Sequence, residues 1–101
     1  MEDQKAIIVC TDKRGVFFGY VPNNTDLNQL LEEGATVRLL SARMAVMWTS
    51  AERGVLGLAA AGPGPKCRIG PAATAITVRG VHAVLEVSEA AVALWESEPW
   101  G

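Results

Sequence analysis

The residues with the clearest potential for binding chemistry lie in the run SARMAVMWTS, near the middle of the chain. Arg43 carries the forked guanidinium that pairs with phosphate or carboxylate groups, and the indole of Trp48 can stack on a planar ligand. Thr49 and Ser50 precede a predicted helix, whose first backbone amides and positive dipole end attract anions. Together with Arg53, these residues form a candidate ligand-binding site for an anionic molecule.

The same run also has a purely structural interpretation. If it is a strand, Met44, Val46 and Trp48 alternate onto one face and point into the core. Thr49 and Ser50 would then serve only to cap the helix that follows. Both interpretations stay open at this point.

No constellation of catalytic side chains accompanies the run. A hydrolase triad needs a base beside its nucleophile, and His82, the only histidine, lies in the middle of a predicted strand. The segment Gly62–Lys66 places two glycines before a lysine but lacks the spacing of a phosphate loop, and its prolines remove amides that would bind phosphate. The glutamates lie near predicted helix ends or on solvated faces. The sequence therefore predicts a protein that is not an enzyme.

The cysteine and histidine content argues against a zinc-type metal site. Cys10 and Cys67 lie far apart in the sequence and His82 is the single histidine, whereas a structural zinc ion takes four such ligands. A domain of this size does not need a disulfide, and the charged start of the chain does not resemble a secretion signal. We expect free, buried thiols in a cytoplasmic protein, with no metal and no cofactor.

The charge balance and the hydropathy pattern exclude two further classes of function. The 101 residues carry nine basic and eleven acidic side chains, a net charge of −2, so no general positive field attracts nucleic acid. Charged residues or glycines interrupt every apolar stretch before it reaches the roughly 18 to 20 residues of a membrane-spanning helix. We expect neither a nucleic-acid partner nor a membrane span.

The elements that must position the candidate site follow the order β-β-(α)-β-β-α-β-β-α. Runs of β-branched residues predict strands. Leucine spacing predicts a first short helix or an irregular loop, a T-x-x-E capping box predicts the second helix, and Ser88 as a cap, with Val87 and Val92 as a hydrophobic staple, predicts the third. The predicted strands cover 5–11, 16–21, 36–40, 45–48, 66–69 and 75–87, the last bulged at Gly80, and the predicted helices cover 27–34, 50–61 and 88–95. The chain is long enough for one domain, residues 1–101. This order predicts an α+β fold, with a small antiparallel or mixed β-sheet and two to three short helices packed on one face.

Three blocks of the sequence carry a resemblance to known proteins: GVFFGYV, VRLLSARMAVMWTSAERGVLGLAAAG and ITVRGVHAVLEVSEAAVALW. In their order and content the chain resembles a family of small uncharacterised phage and prophage proteins. That family often has a second arginine at the position of Met44, so the likeness does not extend to a two-arginine anion site. The resemblance implies a phage setting in the cytoplasm of a bacterial host, and it brings no established activity.

Small non-enzymatic phage proteins commonly bind components of the host. The resemblance therefore implies a counter-defence protein that sequesters an anionic, nucleotide-like signalling molecule or covers a host defence protein. A chain of this size has little room for a deep pocket, so we expect a homo-oligomer. The alternative is a structural, assembly or accessory protein of a phage.

Overall fold

The structure is a computed structural model of the chain, and it describes residues 3–11, 15–48, 54–64 and 67–97. In this part of the chain the strands are β1 (Gln4–Thr11), β2 (Val16–Pro22), β3 (Thr36–Met47), β4 (Arg68–Ile69), β5 (Ala73–Arg79) and β6 (Val81–Glu86). The helices are the 3-10 helix Leu27–Leu31, α1 (Gly54–Ala60) and α2 (Glu89–Ser97). The α+β class is confirmed in its broad form, as an antiparallel sheet with few helices.

The strands form one antiparallel sheet in the order β4-β3-β2-β1-β6, and β5 also pairs with β3. Gly80 alone separates β5 from β6, and its φ of 73° suits glycine because other residues rarely adopt it. The predicted long strand is therefore two strands bent at this glycine. The first pairs with β3 and the second with β1, so the sheet curls back on itself.

A bulge in the middle of β3 decides which way its side chains face. Between the pairs Phe18↔Arg43 and Tyr20↔Leu40, β2 has one residue and β3 has two. Ser41 accommodates the extra residue with a φ of 49°, in the left-handed region that non-glycine residues seldom enter. Because side chains alternate across a strand, one extra residue reverses the alternation from this point on.

The bulge overturns the interpretation in which Met44, Val46 and Trp48 together face the core. Met44 and Val46 are exposed, whereas Arg43 and Ala45 are buried. Trp48 is half-buried and packs against the core under the helices. The separate strand predicted to begin at residue 45 is the continuation of β3.

The core has two clusters on opposite faces of the sheet. The helix-side cluster lies between the sheet and both α-helices, and its fully buried members include Phe18, Leu58, Ile69 and Trp95. The opposite cluster is built from strand residues such as Leu39, together with a leucine of the 3-10 helix. The prediction that the helices share one face therefore holds for α1 and α2, while the 3-10 helix packs on the other face.

Helix α2 begins as its sequence predicts. Ser88 caps it, because its Oγ accepts the backbone N–H of Ala91 at 3.1 Å. The same hydroxyl donates to the carbonyl oxygen of Ala60 at 2.8 Å, which joins the end of α1 to the start of α2. Val87 and Val92 pack against the helix-side cluster, as expected for a hydrophobic staple. The capping box predicted for the preceding helix lies outside the described residues.

Candidate functional site

Arg43 is the centre of the candidate site, and only 7% of its surface is exposed. Its Nε donates to the carbonyl oxygen of Gly70 at 2.7 Å, and its Nη1 donates to that of Trp95 at 2.6 Å. Nη2 makes a longer bond, 3.5 Å, to the carbonyl oxygen of Ile69. Trp95 lies in the last turn of α2, where a cation also meets the negative end of the helix dipole. Arg43 therefore fastens α2 and the segment between β4 and β5 to β3.

The guanidinium of Arg43 retains donors beyond these three bonds. A guanidinium has five N–H groups, so three bonds leave two, one on each terminal nitrogen. Within the described part of the chain, the partners of this cation are carbonyl oxygens and not carboxylates. Two N–H groups on neighbouring nitrogens are what a bidentate acceptor requires.

Arg43 lines a cavity of about 280 Å³. The other lining residues are Gln4, Phe18, Tyr20, Ser41, Ala72 and Glu96. The walls thus combine aromatic side chains with a cation from β3 and an anion from α2. A few convergent polar groups among apolar ones are typical of small-molecule sites, although such pockets usually occupy about 300 to 1,000 Å³. The cavity suits one part of a metabolite-sized ligand.

Tyr20 and Glu96 form a hydrogen-bonded pair on one wall of this cavity. The hydroxyl of Tyr20 donates to Oε2 of Glu96, and the Tyr20 ring meets Phe18 edge to face, with 5.5 Å between the centroids. Burial raises the pKa of Tyr20 above the ordinary value of 10.0, and the hydrogen bond and negative charge of Glu96 raise it further. Tyr20 therefore stays a neutral donor throughout the physiological range.

The raised pKa of Tyr20 predicts a measurable response to alkaline pH. Tyr20 is the only tyrosine, so tyrosinate absorbance reports on it alone. We expect no tyrosinate in the folded protein at pH 10.0, where a free tyrosine is half ionised. Because the folded state holds this proton more tightly than the unfolded state, the stabilisation is complete below that pH and is lost as the pH rises.

The variant Glu96→Gln is the test of the cause. It removes the negative charge but keeps an oxygen that can accept the Tyr20 hydroxyl, so tyrosinate should appear at a lower pH than in the wild-type protein. Circular dichroism recorded at each pH separates ionisation from unfolding. Tyrosinate formation in the folded wild-type protein at pH 10.0 would contradict the raised pKa.

Trp95 holds the wall that carries Glu96. It is completely buried, and its indole stacks on Phe18 with 5.0 Å between the centroids and 4° between the planes. Its Nε1 donates to the carbonyl oxygen of Leu58 at 3.0 Å. Trp95 therefore links α2 to both β2 and α1, and Glu96, the next residue, is positioned through it.

The structure places one member of the predicted ligand set in the cavity. Arg43 lines it, whereas Trp48 packs against the helix-side cluster and is not among the lining residues. Thr49, Ser50 and Arg53 lie outside the described residues. Of the two predicted residues that the structure describes, Arg43 lines this cavity and Trp48 does not.

Sequence reasoning did not identify Tyr20, Ser41 or Glu96 as cavity residues. Ser41 lies in the run that the sequence singled out, and its left-handed backbone is a feature that clusters at functional sites. Tyr20 and Glu96 are 76 residues apart in the chain, and no local pattern connects them. They meet because α2 packs over β2.

The remaining titratable and metal-binding candidates lie elsewhere. His82 is exposed on β6, and Cys10 and Cys67 are both buried and are not joined by a disulfide bond. Burial raises the pKa of the Cys10 thiol. The described residues contain no group of three potential metal ligands, and none of their helices is long and apolar enough to cross a membrane.

Comparison with known proteins identifies the family of the chain. No curated protein and no solved structure matches it. A family model described as a domain of unknown function, DUF6948, matches residues 4–95, which include every strand, Arg43 and Tyr20. The match confirms the expected uncharacterised family, and the phage setting stays a prediction. The chain belongs to the DUF6948 family.

Proposed function

We propose that this protein is a non-enzymatic binding protein that captures a small nucleotide-like molecule, with the Arg43 cavity as its recognition site. The observation that carries the proposal is a buried guanidinium that lines a cavity and keeps two N–H groups after its three bonds with carbonyl oxygens. Those bonds hold the side chain in one position. Its donors are thus presented to a ligand with little further loss of conformational entropy.

The size of the cavity limits what enters it. A space of about 280 Å³ is below the usual range for a drug-sized ligand, about 300 to 1,000 Å³. One end of a nucleotide can occupy it, and the rest then lies against the surface or against a second subunit. This limit supports the expected homo-oligomer.

The proposed biological role follows from the resemblance of the sequence to small phage and prophage proteins. A protein that holds a host signalling nucleotide lowers its free concentration and so opposes host defence without chemistry. Sequestration needs only affinity and abundance. This counter-defence role and the bacterial cytoplasm are part of the proposal.

A second candidate function rests on a different surface. Met44, Val46 and Met47 of β3 are exposed to 41%, 53% and 43%, and neighbouring apolar side chains of this kind mark protein contacts. They favour a protein partner, either a host defence protein that is blocked or other copies in an assembly. Light scattering after size-exclusion chromatography separates these roles, because rings or filaments that grow with concentration indicate assembly.

The test of nucleotide capture is a thermal-shift series with purified protein. A ligand that binds only the folded state raises the melting temperature, so at least one compound in a panel of mononucleotides, cyclic dinucleotides and ADP-ribose derivatives should do so. Arg43→Lys keeps the charge but loses the planar fork, and its shift should be smaller. Arg38→Lys, an exposed position on the same strand, is the matched control and should behave as the wild-type protein.

Two results would contradict nucleotide capture. One is a panel without any shift, together with native mass spectra that show no retained nucleotide. The other is a folded Arg43→Lys variant that binds as tightly as the wild-type protein, since the ligand would then lie away from the cavity.

A further inference from the structure

The Arg43 cavity presents both signs of charge to a ligand. The Arg43 guanidinium and the Glu96 carboxylate line the same space of about 280 Å³. A phosphate in that space gains two N–H donors from Arg43 but meets the negative charge of Glu96. The two negative charges repel each other, which opposes a phosphate at this position. The cavity is therefore better matched to a neutral group that accepts hydrogen bonds along one edge and donates them along the next.

Guanine is a neutral group with this pattern. Its O6 and N7 are adjacent acceptors, and they form the bidentate pair that arginine recognises most often. Its N1–H and its exocyclic amine are donors on the neighbouring edge. The Glu96 carboxylate suits this edge, because an ionised carboxylate only accepts hydrogen bonds. Adenine places an amine where guanine has O6, so it offers Arg43 a donor opposite a donor.

The side chains around the cavity are held in positions that suit this pairing. Three carbonyl oxygens fix the Arg43 guanidinium. The Tyr20 hydroxyl donates to Oε2 of Glu96, and both carboxylate oxygens keep a lone pair that can accept from a base. Tyr20 is thus a positioning residue, and its ring lines the cavity at an edge-to-face angle to that of Phe18.

We infer that the cavity reads a guanine base, with Arg43 donating to O6 and N7 and Glu96 accepting from N1–H and the exocyclic amine. This inference rests on the proposed capture of a nucleotide and names which part of it enters. The sugar and phosphate then remain outside the cavity, where the Glu96 charge does not oppose them.

The test compares dissociation constants for four compounds by isothermal titration calorimetry, at one ionic strength. GMP should bind at least about tenfold more tightly than AMP, because adenine leaves Arg43 donors unpaired. IMP lacks the exocyclic amine and should lie between the two. Ribose 5-phosphate, which carries the phosphate without a base, should bind at least tenfold more weakly than GMP.

Variants at Glu96 test its role apart from folding. Glu96→Gln replaces a charged acceptor by an amide. It should weaken the binding of GMP about tenfold, while the binding of AMP is unchanged or tighter. Tyr20→Phe should also reduce the preference for GMP, so that the dissociation constant of AMP divided by that of GMP becomes smaller. Glu89→Gln, at the exposed first turn of the same helix, is the matched control and should alter neither constant.

The outcomes separate this inference from the proposed function. Equal binding of GMP and AMP, or ribose 5-phosphate as tight as GMP, overturns guanine recognition and leaves nucleotide capture in place. A Glu96→Gln variant whose dissociation constants for GMP and AMP stand in the wild-type ratio also overturns guanine recognition. Absence of binding by GMP, AMP and the cyclic dinucleotides overturns both.

Discussion

Replacing Arg43 by methionine is expected to lower the free energy of unfolding by about 3 to 5 kcal/mol. Methionine has a similar length and no donors, so the carbonyl oxygens of Gly70 and Trp95 lose bonds of 2.7 and 2.6 Å. A buried acceptor without a partner costs about 1 to 3 kcal/mol. The variant also removes the cation from the last turn of α2. Urea unfolding with an unchanged m-value measures the loss.

The matched control for this prediction is Arg38→Met. Arg38 lies on the same strand but is exposed, so its replacement should change the free energy of unfolding by no more than about 0.5 kcal/mol. Arg43→Lys should fall between the two, because one ammonium group does not reach three carbonyl oxygens in a fixed fork. A loss below about 1 kcal/mol for Arg43→Met would show that the three bonds contribute little net stability.

Trp95→Ala should cost about 3 to 5 kcal/mol, the range for deleting a large buried aromatic side chain. The indole is completely buried and stacked on Phe18, so truncation leaves a void between α2 and the sheet. It also leaves the carbonyl oxygen of Leu58 without its indole donor. Chemical denaturation measures this loss, and a fall of less than about 2 kcal/mol would mean that the site repacks around the smaller side chain.

Two further variants separate the contributions of Trp95. Trp95→Phe keeps a ring against Phe18 but removes the N–H and part of the buried volume, so its cost of about 1 to 2 kcal/mol combines the lost bond to Leu58 with a small cavity. Leu94→Ala changes the preceding residue, which is 43% exposed, and should cost about 1 kcal/mol. If Leu94→Ala destabilised the protein as much as Trp95→Ala, the loss would follow from shortening any side chain of α2 and not from the burial of Trp95.

The effects of Arg43 and Trp95 are expected to be coupled. Nη1 of Arg43 donates to the carbonyl oxygen of Trp95, and a loosened α2 no longer presents that oxygen. The double variant Arg43→Met with Trp95→Phe should therefore lose less stability than the sum of the single losses. Arg43 is thus a structural residue first, and its binding role depends on the same helix that it fastens.

The fold could be predicted from sequence where local patterns decide it. Ser88 followed by an apolar face predicted α2, and β-branched runs predicted β1 and β2, because capping and side-chain alternation act over a few residues. The sequence also marked Gly80 as an irregular position, although it predicted a bulge within one strand and not a bend between two. The face that Arg43 occupies was not, because it depends on the bulge at Ser41, which arises from pairing with β2.

Glycine at position 19 shows why that bulge is a tertiary feature. Gly19 is the single residue of β2 opposite the bulge, and a Cβ atom there would lie 2.7 Å from Cβ of Leu39. The close approach of two strands thus needs a residue from one strand and an unusual backbone from the other. Neither requirement is marked in the run that contains Ser41.

The sequence by itself determined the broad α+β class of this chain, and it singled out Arg43 by residue type. The tertiary structure decided that Arg43 is buried beneath α2 and that Tyr20 and Glu96 share its cavity, while Trp48 packs elsewhere. The physical reason is the range of the interactions. Periodicity and capping depend on neighbours along the chain, whereas a strand register shifted by one residue moves every later side chain to the other face.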